Sequence, residues 1–185
     1  MAKVLIPLAN GFEDIEAVTL IDVFRRGGVE VVTASMHDSR AVMAAHGISM
    51  EADALYADVA EDDYDAIVLP GGGKGTENLK RSEALAARLR RQQEEGRLLC
   101  AICAAPTVLV AAGVLDPDVE VTCYPTCQDE LDREWSPAPV VRSGTVITGQ
   151  APGSALLFAL VVLQTLAGEY VAHEVARGMV TDVLD

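Results

Sequence analysis

The chain has 185 residues, of which half are hydrophobic, and 28 Asp plus Glu against 14 Lys plus Arg give a formal net charge of −14. A chain of this length buries about 70% of its unfolded surface, so residues 1–185 are expected to form one domain with a full core, which excludes disorder and small peptide scaffolds. A surface this negative repels phosphate backbones and anionic lipids, so neither nucleic acid nor a membrane is expected as a partner.

The most apolar stretch, Ala155 to Leu163, is far shorter than the ~18 residues that a transmembrane helix requires. Met1 leads directly into an apolar run that is too short for a signal peptide, so a cytoplasmic location is expected. In that reducing compartment the four cysteines are interpreted as buried, catalytic or metal-binding thiols rather than as disulfides.

Short apolar or β-branched runs predict strands along the whole chain. In chain order these strands are residues 3–8, 29–34, 66–69, 98–102 and 145–148. Between the first two, apolar residues recur at helical spacing from Ala17 to Phe24, and Gly27 follows as the expected helix stop. Strand and helix therefore alternate from the start of the chain.

This alternation predicts a mostly parallel sheet with helices on both faces, which is a three-layer α/β sandwich. The helix predicted over residues 153–167 is apolar nearly all round, so it should lie between the sheet and another layer or subunit. The charged stretch from Arg88 to Glu95 is interpreted as the solvated face of a helix.

Three loops follow predicted strands at the edge where ligands collect in parallel sheets. They are residues 9–16, 70–75 and 103–106. Because the carboxyl ends of neighbouring strands lie together, these loops can meet at one point. Candidate functional residues are therefore sought there.

Cys103 closes an apolar strand and precedes Pro106, which stands in the first turn of a predicted helix ending at Gly113. A sulfur at this place faces a helix N-terminus, whose dipole and unpaired amides favour thiolate and lower the pKa from its reference value of ~8.5. Cys103 is therefore a candidate nucleophile. The alternative is a small apolar residue at the end of a strand.

Glu16 falls in the first turn of the first predicted helix, where a carboxylate is usually solvated. Beside a thiolate it would form a like-charge pair in which one group holds a proton, so Glu16 could shuttle that proton during a reaction. The Gly-rich turn at 71–75 lacks the ending of a phosphate-binding loop, but the amide of Gly72 beside a sulfur nucleophile would serve as an oxyanion hole.

Four motifs together resemble the DJ-1/PfpI superfamily, and more closely its DJ-1 branch. They are Gly-Phe-Glu-Asp-Ile-Glu ending at Glu16, Leu-Pro-Gly-Gly-Gly before Lys74, Ala-Ile-Cys-Ala-Ala-Pro around Cys103 and Gln-Ala-Pro-Gly-Ser around Pro152. The resemblance runs from residue 3 to about residue 175. It implies a flavodoxin-like homodimer in which Cys103 is the nucleophile on a nucleophile elbow and Glu16 is its carboxylic-acid partner.

The resemblance also implies that the amides of Gly72 and Ala104 face the bound oxygen and that Tyr124 and Pro152 belong to the substrate-binding positions. Activities across the family include cofactor-free conversion of methylglyoxal to lactate, repair of glyoxal-type adducts, chaperone action, peptidase activity in the PfpI branch and redox sensing. No metal or organic cofactor is implied.

The chain departs from the family pattern at several of these positions. Ala104 stands where the PfpI branch has a histidine, which argues against a cysteine peptidase or amidase. Tyr124 stands where the DJ-1 branch commonly has a histidine, which leaves Glu16 as the only evident acid/base. His46 and Gln150 each replace a family arginine, and His46 either approaches the cleft as an auxiliary group or remains an exposed loop residue.

The other cysteines allow further interpretations. Cys100 and Cys103 form a C-x-x-C pattern, which near a β-α-β unit can indicate dithiol redox chemistry. Along an extended strand, however, their Cα atoms lie ~10 Å apart, which is too far for a disulfide. Together with Cys123 and Cys127 they match the count of a tetrahedral zinc site, but Cys100 lies in a predicted strand and no glycine knuckle accompanies the pairs, so no metal is expected. Cys123 could instead resolve a sulfenic acid on Cys103.

Two function classes remain open. In the first, the chain is a cofactor-free enzyme in which Cys103 adds to a small 2-oxoaldehyde or its adduct and Glu16 moves the proton, as in a glyoxalase or deglycase. In the second, an oxidant converts Cys103 to a sulfinic acid, and the protein is an oxidative-stress sensor or chaperone. The expected partners are a small-molecule aldehyde or oxidant and a second copy of the chain.

Overall fold

The computed structural model describes residues 1–184, and within them the main sheet has seven strands. In spatial order they are β5 (Ala54–Leu55), β2 (Glu30–Ser35), β1 (Lys3–Leu8), β6 (Ala66–Leu69), β7 (Leu98–Ile102), β9 (Val146–Gly149) and β8 (Val140–Ser143). Neighbouring strands are parallel except for β8, which runs antiparallel to β9 at one edge. The strand order reverses beside β1, which lies between β2 and β6, and open α/β sheets bind ligands at such a switch point.

Helices cover both faces of the sheet. They are α1 (Asp14–Arg26), α2 (Tyr56–Val59), α3 (Gly73–Lys80), α4 (Glu83–Glu94), α5 (Pro106–Ala112), α6 (Ala155–Ala167) and α7 (Glu169–Gly178). Short 3-10 helices span Pro125–Glu130 and Pro152–Ser154, and a small hairpin of β3 (Ala41–Met43) and β4 (Ser49–Glu51) lies apart from the sheet. No helix within residues 1–184 combines the length and the apolar character needed to cross a membrane.

Two apolar cores lie on opposite faces of the sheet because successive side chains of a strand point to opposite sides. On β1, Val4 and Ile6 belong to the core beneath α1, α6 and α7, whereas Leu5 belongs to the core on the other face. The second core takes its helical side chains from α2 to α5, including Leu89 and Leu109. The predicted three-layer sandwich is therefore confirmed.

Most predicted elements are confirmed within one or two residues. The predicted strands 3–8, 66–69 and 98–102 match β1, β6 and β7, and those at 29–34 and 145–148 are each displaced by one residue. The predicted helix at 153–167 is α6, preceded by the 3-10 turn, and it packs against α1, α7 and β9, between the sheet and other helices. The sequence did not predict β3, β4, β5 and β8.

The prediction that the charged stretch of α4 is a solvated helix face is wrong for two of its residues. Arg88 and Gln92 lie in the stretch interpreted as solvated, yet both are buried. Arg88 donates to Asp62 O over 3.2 Å and stacks its guanidinium above the Tyr64 ring at 5.8 Å from the centroid. Gln92 donates to Tyr64 O over 3.0 Å. These side chains are buried because they supply the hydrogen bonds that the loop before β6 needs.

Candidate active site

Cys103 lies at the carboxyl end of β7, in the turn that leads into α5. Its φ of 64° is in the left-handed region, which residues with a Cβ rarely occupy. Two backbone hydrogen bonds hold this conformation: Cys103 N–H donates to Gly149 O over 2.9 Å, and Tyr124 N–H donates to Cys103 O over 2.7 Å. Strain of this kind persists only where the surrounding structure enforces it. The turn therefore fixes the thiol at the edge of the sheet.

Glu16 lies in the first turn of α1 and is fully buried. Its N–H donates to Glu13 Oε2 over 2.8 Å, and its Oε2 accepts the N–H of Gly71 over 2.7 Å. The thiol of Cys103 interacts with this carboxyl group and contributes to its pKa, while the buried Glu16 Oε1 has no hydrogen-bond partner among the described residues. The loops that follow β1, β6 and β7 therefore meet at one acid–thiol pair.

Burial controls the protonation of Glu16. It raises the pKa of this carboxyl group from 4.5 to about 7, against the opposing effects of the hydrogen bonds from Gly71 and Cys103. The neighbouring carboxylate of Glu13 adds to the rise. A carboxyl group with this pKa exchanges a proton readily at neutral pH, which is the property that general acid–base catalysis requires.

The thiol of Cys103 does not have the lowered pKa that the sequence predicts. Cys103 is only 7% exposed, and burial together with the charge of Glu16 raises its pKa. The N–H groups of Gly72 and Ala104 point at the sulfur and act in the opposite direction. The prediction is wrong because burial and the neighbouring carboxyl group outweigh the hydrogen bonds from these two amides. The thiol is therefore protonated at neutral pH and lies beside a carboxyl group that can accept its proton.

The turn of glycines after β6 allows the close approach of the three loops. A Cβ on Gly71 would lie 2.7 Å from Cys103 Cβ and 2.9 Å from Glu16 Oε2. Gly72 has a φ of 91°, and a Cβ there would collide with the carbonyl oxygen of Gly11. A side chain on Gly71 would force the acid and the thiol apart, and one on Gly72 would push the turn away from the loop before α1.

Three other predicted residues lie in segments that border this pair. Tyr124 is 41% exposed and contacts Cys103 through its backbone N–H. Cys123 is buried, and its thiol donates to Tyr124 O over 3.3 Å. Pro152 begins the 3-10 turn that follows Gly149, whose carbonyl accepts the Cys103 N–H. The structure brings these segments to the same edge of the sheet.

His46 is an exposed residue of the β3–β4 hairpin and contacts acids rather than the thiol. Its Nδ1 lies 2.8 Å from Asp14 Oδ2 and 3.9 Å from Glu13 Oε1. His37 Nε2 accepts the N–H of Asn10, and His173 lies 3.9 Å from Glu169. The three imidazoles therefore have partners away from Cys103, which agrees with the argument against a peptidase.

The four cysteines are free, and within residues 1–184 they do not gather into a metal-binding group. Cys100 is buried in β7, opposite Val68 and Ile147 of the neighbouring strands. Its thiol therefore lies inside the sheet, whereas Cys103 lies in the turn that follows β7.

Gly71 and Glu13 are residues of this site to which the sequence analysis assigned no role. Glu13 caps α1 by accepting the Glu16 N–H, but glutamate is not one of the residues that usually mark an N-cap, so the pattern does not predict its role. No signal marks Gly71 either, because its place between Cys103 and Glu16 depends on how β6 pairs with its neighbours.

The comparison with a model of the DJ-1/PfpI family matches residues 2–165. The chain belongs to the DJ-1/PfpI family. The resemblance read from the four motifs is therefore confirmed. The solved structure of oxidized DJ-1 from Toxoplasma gondii superposes with a TM-score of 0.94 at 36% identity, covering 98% of this chain and 99% of that one, and it has the same fold.

Two curated relatives of this chain are named as a DJ-1 homolog and as a glyoxalase. DJ-1 homolog B of Arabidopsis thaliana is 39% identical over 183 residues, which are 96% of this chain and 41% of that protein. The chain thus spans less than half the length of that relative. The glutathione-independent glyoxalase DJR-1.2 of Caenorhabditis elegans is 35% identical over 170 residues, which are 90% of this chain and 89% of that protein.

Proposed function

We propose that this protein is a cofactor-independent cysteine enzyme that converts small 2-oxoaldehydes, or their adducts, to 2-hydroxy acids. The observation that carries the proposal is the contact between the Cys103 thiol and a buried Glu16 carboxyl group whose pKa is about 7. The family relative named as a glutathione-independent glyoxalase supports the same chemistry.

In the first step, the Cys103 sulfur attacks the aldehyde carbon while the Glu16 carboxylate accepts the thiol proton. A carbon–sulfur bond forms, the carbonyl π bond breaks, and the proton held by Glu16 passes to the new oxygen to give a hemithioacetal. The amides of Gly72 and Ala104, which face the sulfur, donate hydrogen bonds to this oxygen as negative charge develops on it.

In the second step, Glu16 removes the proton from the former aldehyde carbon and returns it to the adjacent carbon, while the proton of the hemithioacetal hydroxyl passes to the neighbouring ketone oxygen, so the hemithioacetal becomes a thioester of the 2-hydroxy acid. Water then attacks the thioester carbonyl, the carbon–sulfur bond breaks, and the thiol is regenerated. The net reaction adds one water to the 2-oxoaldehyde and needs no external oxidant or reductant.

The test is to incubate the purified protein with methylglyoxal and to measure lactate with a chiral assay. We expect turnover that rises with pH through about 7, because Glu16 must be ionised to accept the thiol proton. Cys103→Ser and Glu16→Gln should each lose at least a hundredfold in kcat/KM, whereas Cys127→Ser, outside the acid–thiol pair, should retain activity. The absence of turnover by the unmodified protein would refute the proposal.

A second candidate function is redox sensing at the same sulfur, favoured by the family relative whose solved structure is named as oxidized. A peroxide would transfer one oxygen to Cys103 to give a sulfenic acid and water, and a second equivalent would give the sulfinic acid. Protonated Glu16 would donate to the added oxygen. Mass spectrometry after mild peroxide should then find two added oxygens on Cys103 alone, in a protein without methylglyoxal turnover.

We also propose that the working form is a cytoplasmic homodimer. The proposal rests on the family and on apolar side chains exposed along α1 and the β3–β4 hairpin. These side chains are Ile15, Val18, Met43 and Ile48. Burying them against a second copy would remove four exposed apolar side chains from water.

A further inference from the structure

Three potential metal ligands converge where the β3–β4 hairpin meets the start of α1. They belong to Glu13, Asp14 and His46, each of which offers one ligand atom, and the three ligand atoms lie within 4.8 Å of one another. The imidazole nitrogen is 2.8 Å from the aspartate oxygen and 3.9 Å from the glutamate oxygen. Two backbone hydrogen bonds fix the hairpin there, from Gly11 N–H to Met43 O and from Ala45 N–H to Phe12 O.

This cluster concentrates negative charge that the described residues do not neutralise. Glu13 and Asp14 are both more than nine-tenths buried, and Glu16 follows one turn later. No Lys or Arg within residues 1–184 forms an ion pair with any of these three carboxyl groups, and His46 is the one basic side chain in contact with them. The site therefore favours a bound cation electrostatically.

Asp14 has unused ligand capacity within the cluster. Its side chain is 8% exposed, and while Oδ2 binds His46, its buried Oδ1 has no hydrogen-bond partner among the described residues. A buried polar atom without a partner is uncommon, and a bound ion is one of the standard explanations for it. This observation is independent of the geometry of the three ligand atoms.

We propose that Glu13, Asp14 and His46 form a binding site for a divalent transition-metal cation, with Zn²⁺ as the representative ion. One imidazole and two carboxylates suit such ions, whereas the thiols lie elsewhere. Ligand atoms ~2.0–2.2 Å from a tetrahedral ion lie roughly 3.4 Å apart, so the His46–Asp14 pair must open slightly and the His46–Glu13 pair close slightly. Rotation of the exposed His46 side chain is sufficient for both changes.

The site is linked to the acid–thiol pair through Glu13. Its Oε1 lies 3.9 Å from His46 Nδ1, while its Oε2 accepts the N–H of Glu16. A bound cation would thus join the hairpin to the helical turn that carries Glu16. Because the ion binds the folded chain and not the unfolded one, it should also raise the melting temperature in proportion to the logarithm of its concentration.

The test is equilibrium dialysis of the full chain against Co²⁺, a spectroscopic substitute for Zn²⁺, with visible and near-ultraviolet absorption recorded on the bound form. We expect one Co²⁺ per chain with the visible bands of nitrogen and oxygen coordination and without the near-ultraviolet charge-transfer band of a thiolate ligand. His46→Ala, at a side chain that is 72% exposed, and Asp14→Asn should each weaken binding at least tenfold.

His37→Ala is the matched control, because His37 is a histidine outside the cluster, and this variant should bind Co²⁺ like the unmodified chain. Circular dichroism checks the fold of each variant, and the exposed position of His46 keeps the test valid if Asp14→Asn is unstable. Unchanged affinity in folded His46→Ala would overturn the proposal. So would a thiolate charge-transfer band that disappears in Cys103→Ser.

Discussion

Burial sets the protonation of the two residues that meet in the candidate active site. A carboxylate loses more hydration free energy in the interior than a carboxylic acid does, so the pKa of the buried Glu16 rises to about 7. Burial also raises the pKa of the Cys103 thiol. Near neutral pH the thiol therefore keeps its proton while Glu16 gains or loses one, and the coupled pair titrates as one unit.

The first prediction is that Glu16→Gln stabilises the fold at alkaline pH. Between pH 4.5 and about 7 the folded chain keeps a proton on Glu16 that the unfolded chain has released, so this residue lowers stability progressively as pH rises through that window. The separation of the two pKa values corresponds to roughly 3 kcal/mol. Urea unfolding at about pH 8 should find the variant more stable by an amount of this order.

The same measurement at about pH 4 should find the two proteins equally stable, because Glu16 is then protonated in both the folded and the unfolded chain. Glu83→Gln is the matched control, since Glu83 is an exposed glutamate in the first turn of α4. A difference between Glu16→Gln and the unmodified protein that does not vary with pH would refute the raised pKa.

The identities of the site residues could be predicted from the sequence, but the pKa of the thiol could not. Cys103, Glu16 and Gly72 each follow a recognisable strand, and the carboxyl ends of parallel strands lie together. The local sequence also shows the helix start beside Cys103, which alone predicts a lowered thiol pKa. Burial depends on what other segments pack above the sulfur, and that information is not local.

At the scale of elements, the loop between β6 and α3 determines how closely α1 approaches β7. Gly71 fills the space between the two reacting side chains, and its N–H binds the carboxyl group of Glu16. Because Gly71 has no side chain, the loop between β6 and α3 lets Glu16 and Cys103 come close together.

The second prediction concerns Gly71→Ala. The new methyl group would lie 2.7 Å from Cys103 Cβ and 2.9 Å from Ile102 O, so the acid–thiol pair must separate. We expect at least a tenfold loss in kcat/KM for methylglyoxal and a destabilisation of about 1–3 kcal/mol, as for other overpacked sites. Gly73→Ala, two residues later, is the matched control because a Cβ there meets open space.

The stability loss in Gly71→Ala tests the packing without reference to the proposed activity. Equal urea midpoints for the two alanine variants would mean that the turn can move, and the close approach argued above would then be wrong.

The elements that the sequence predicts are those with long apolar faces. Strands β1, β6 and β7 are covered by helices on both sides and appear as continuous hydrophobic runs. The missed strands are short, and β3, β4 and β8 have exposed residues that interrupt the pattern. Arg88 is predicted to be exposed but is buried. A charged side chain in a helix predicts exposure to solvent unless its hydrogen-bond partners in a distant loop are known.

At the scale of the whole molecule, net negative charge opposes the association of chains that exposed apolar side chains favour. Each chain carries a formal charge of −14, so two copies repel each other at long range. The exposed side chains of α1 and the β3–β4 hairpin provide a short-range attraction between copies through burial of apolar area. The proposed dimer should therefore be weakest at low ionic strength, where the repulsion is least screened.

The last prediction is that Val18→Glu converts the dimer to a monomer while the fold is retained. Val18 is exposed in the isolated chain, so the substitution leaves the core unchanged, but in the dimer it would bury a charge without a partner. Sedimentation equilibrium should find the mass of two chains for the unmodified protein and of one chain for Val18→Glu. Tyr170→Glu, at an exposed aromatic residue of α7, is the control and should remain dimeric. Dissociation caused by Tyr170→Glu alone would instead locate the interface on α7.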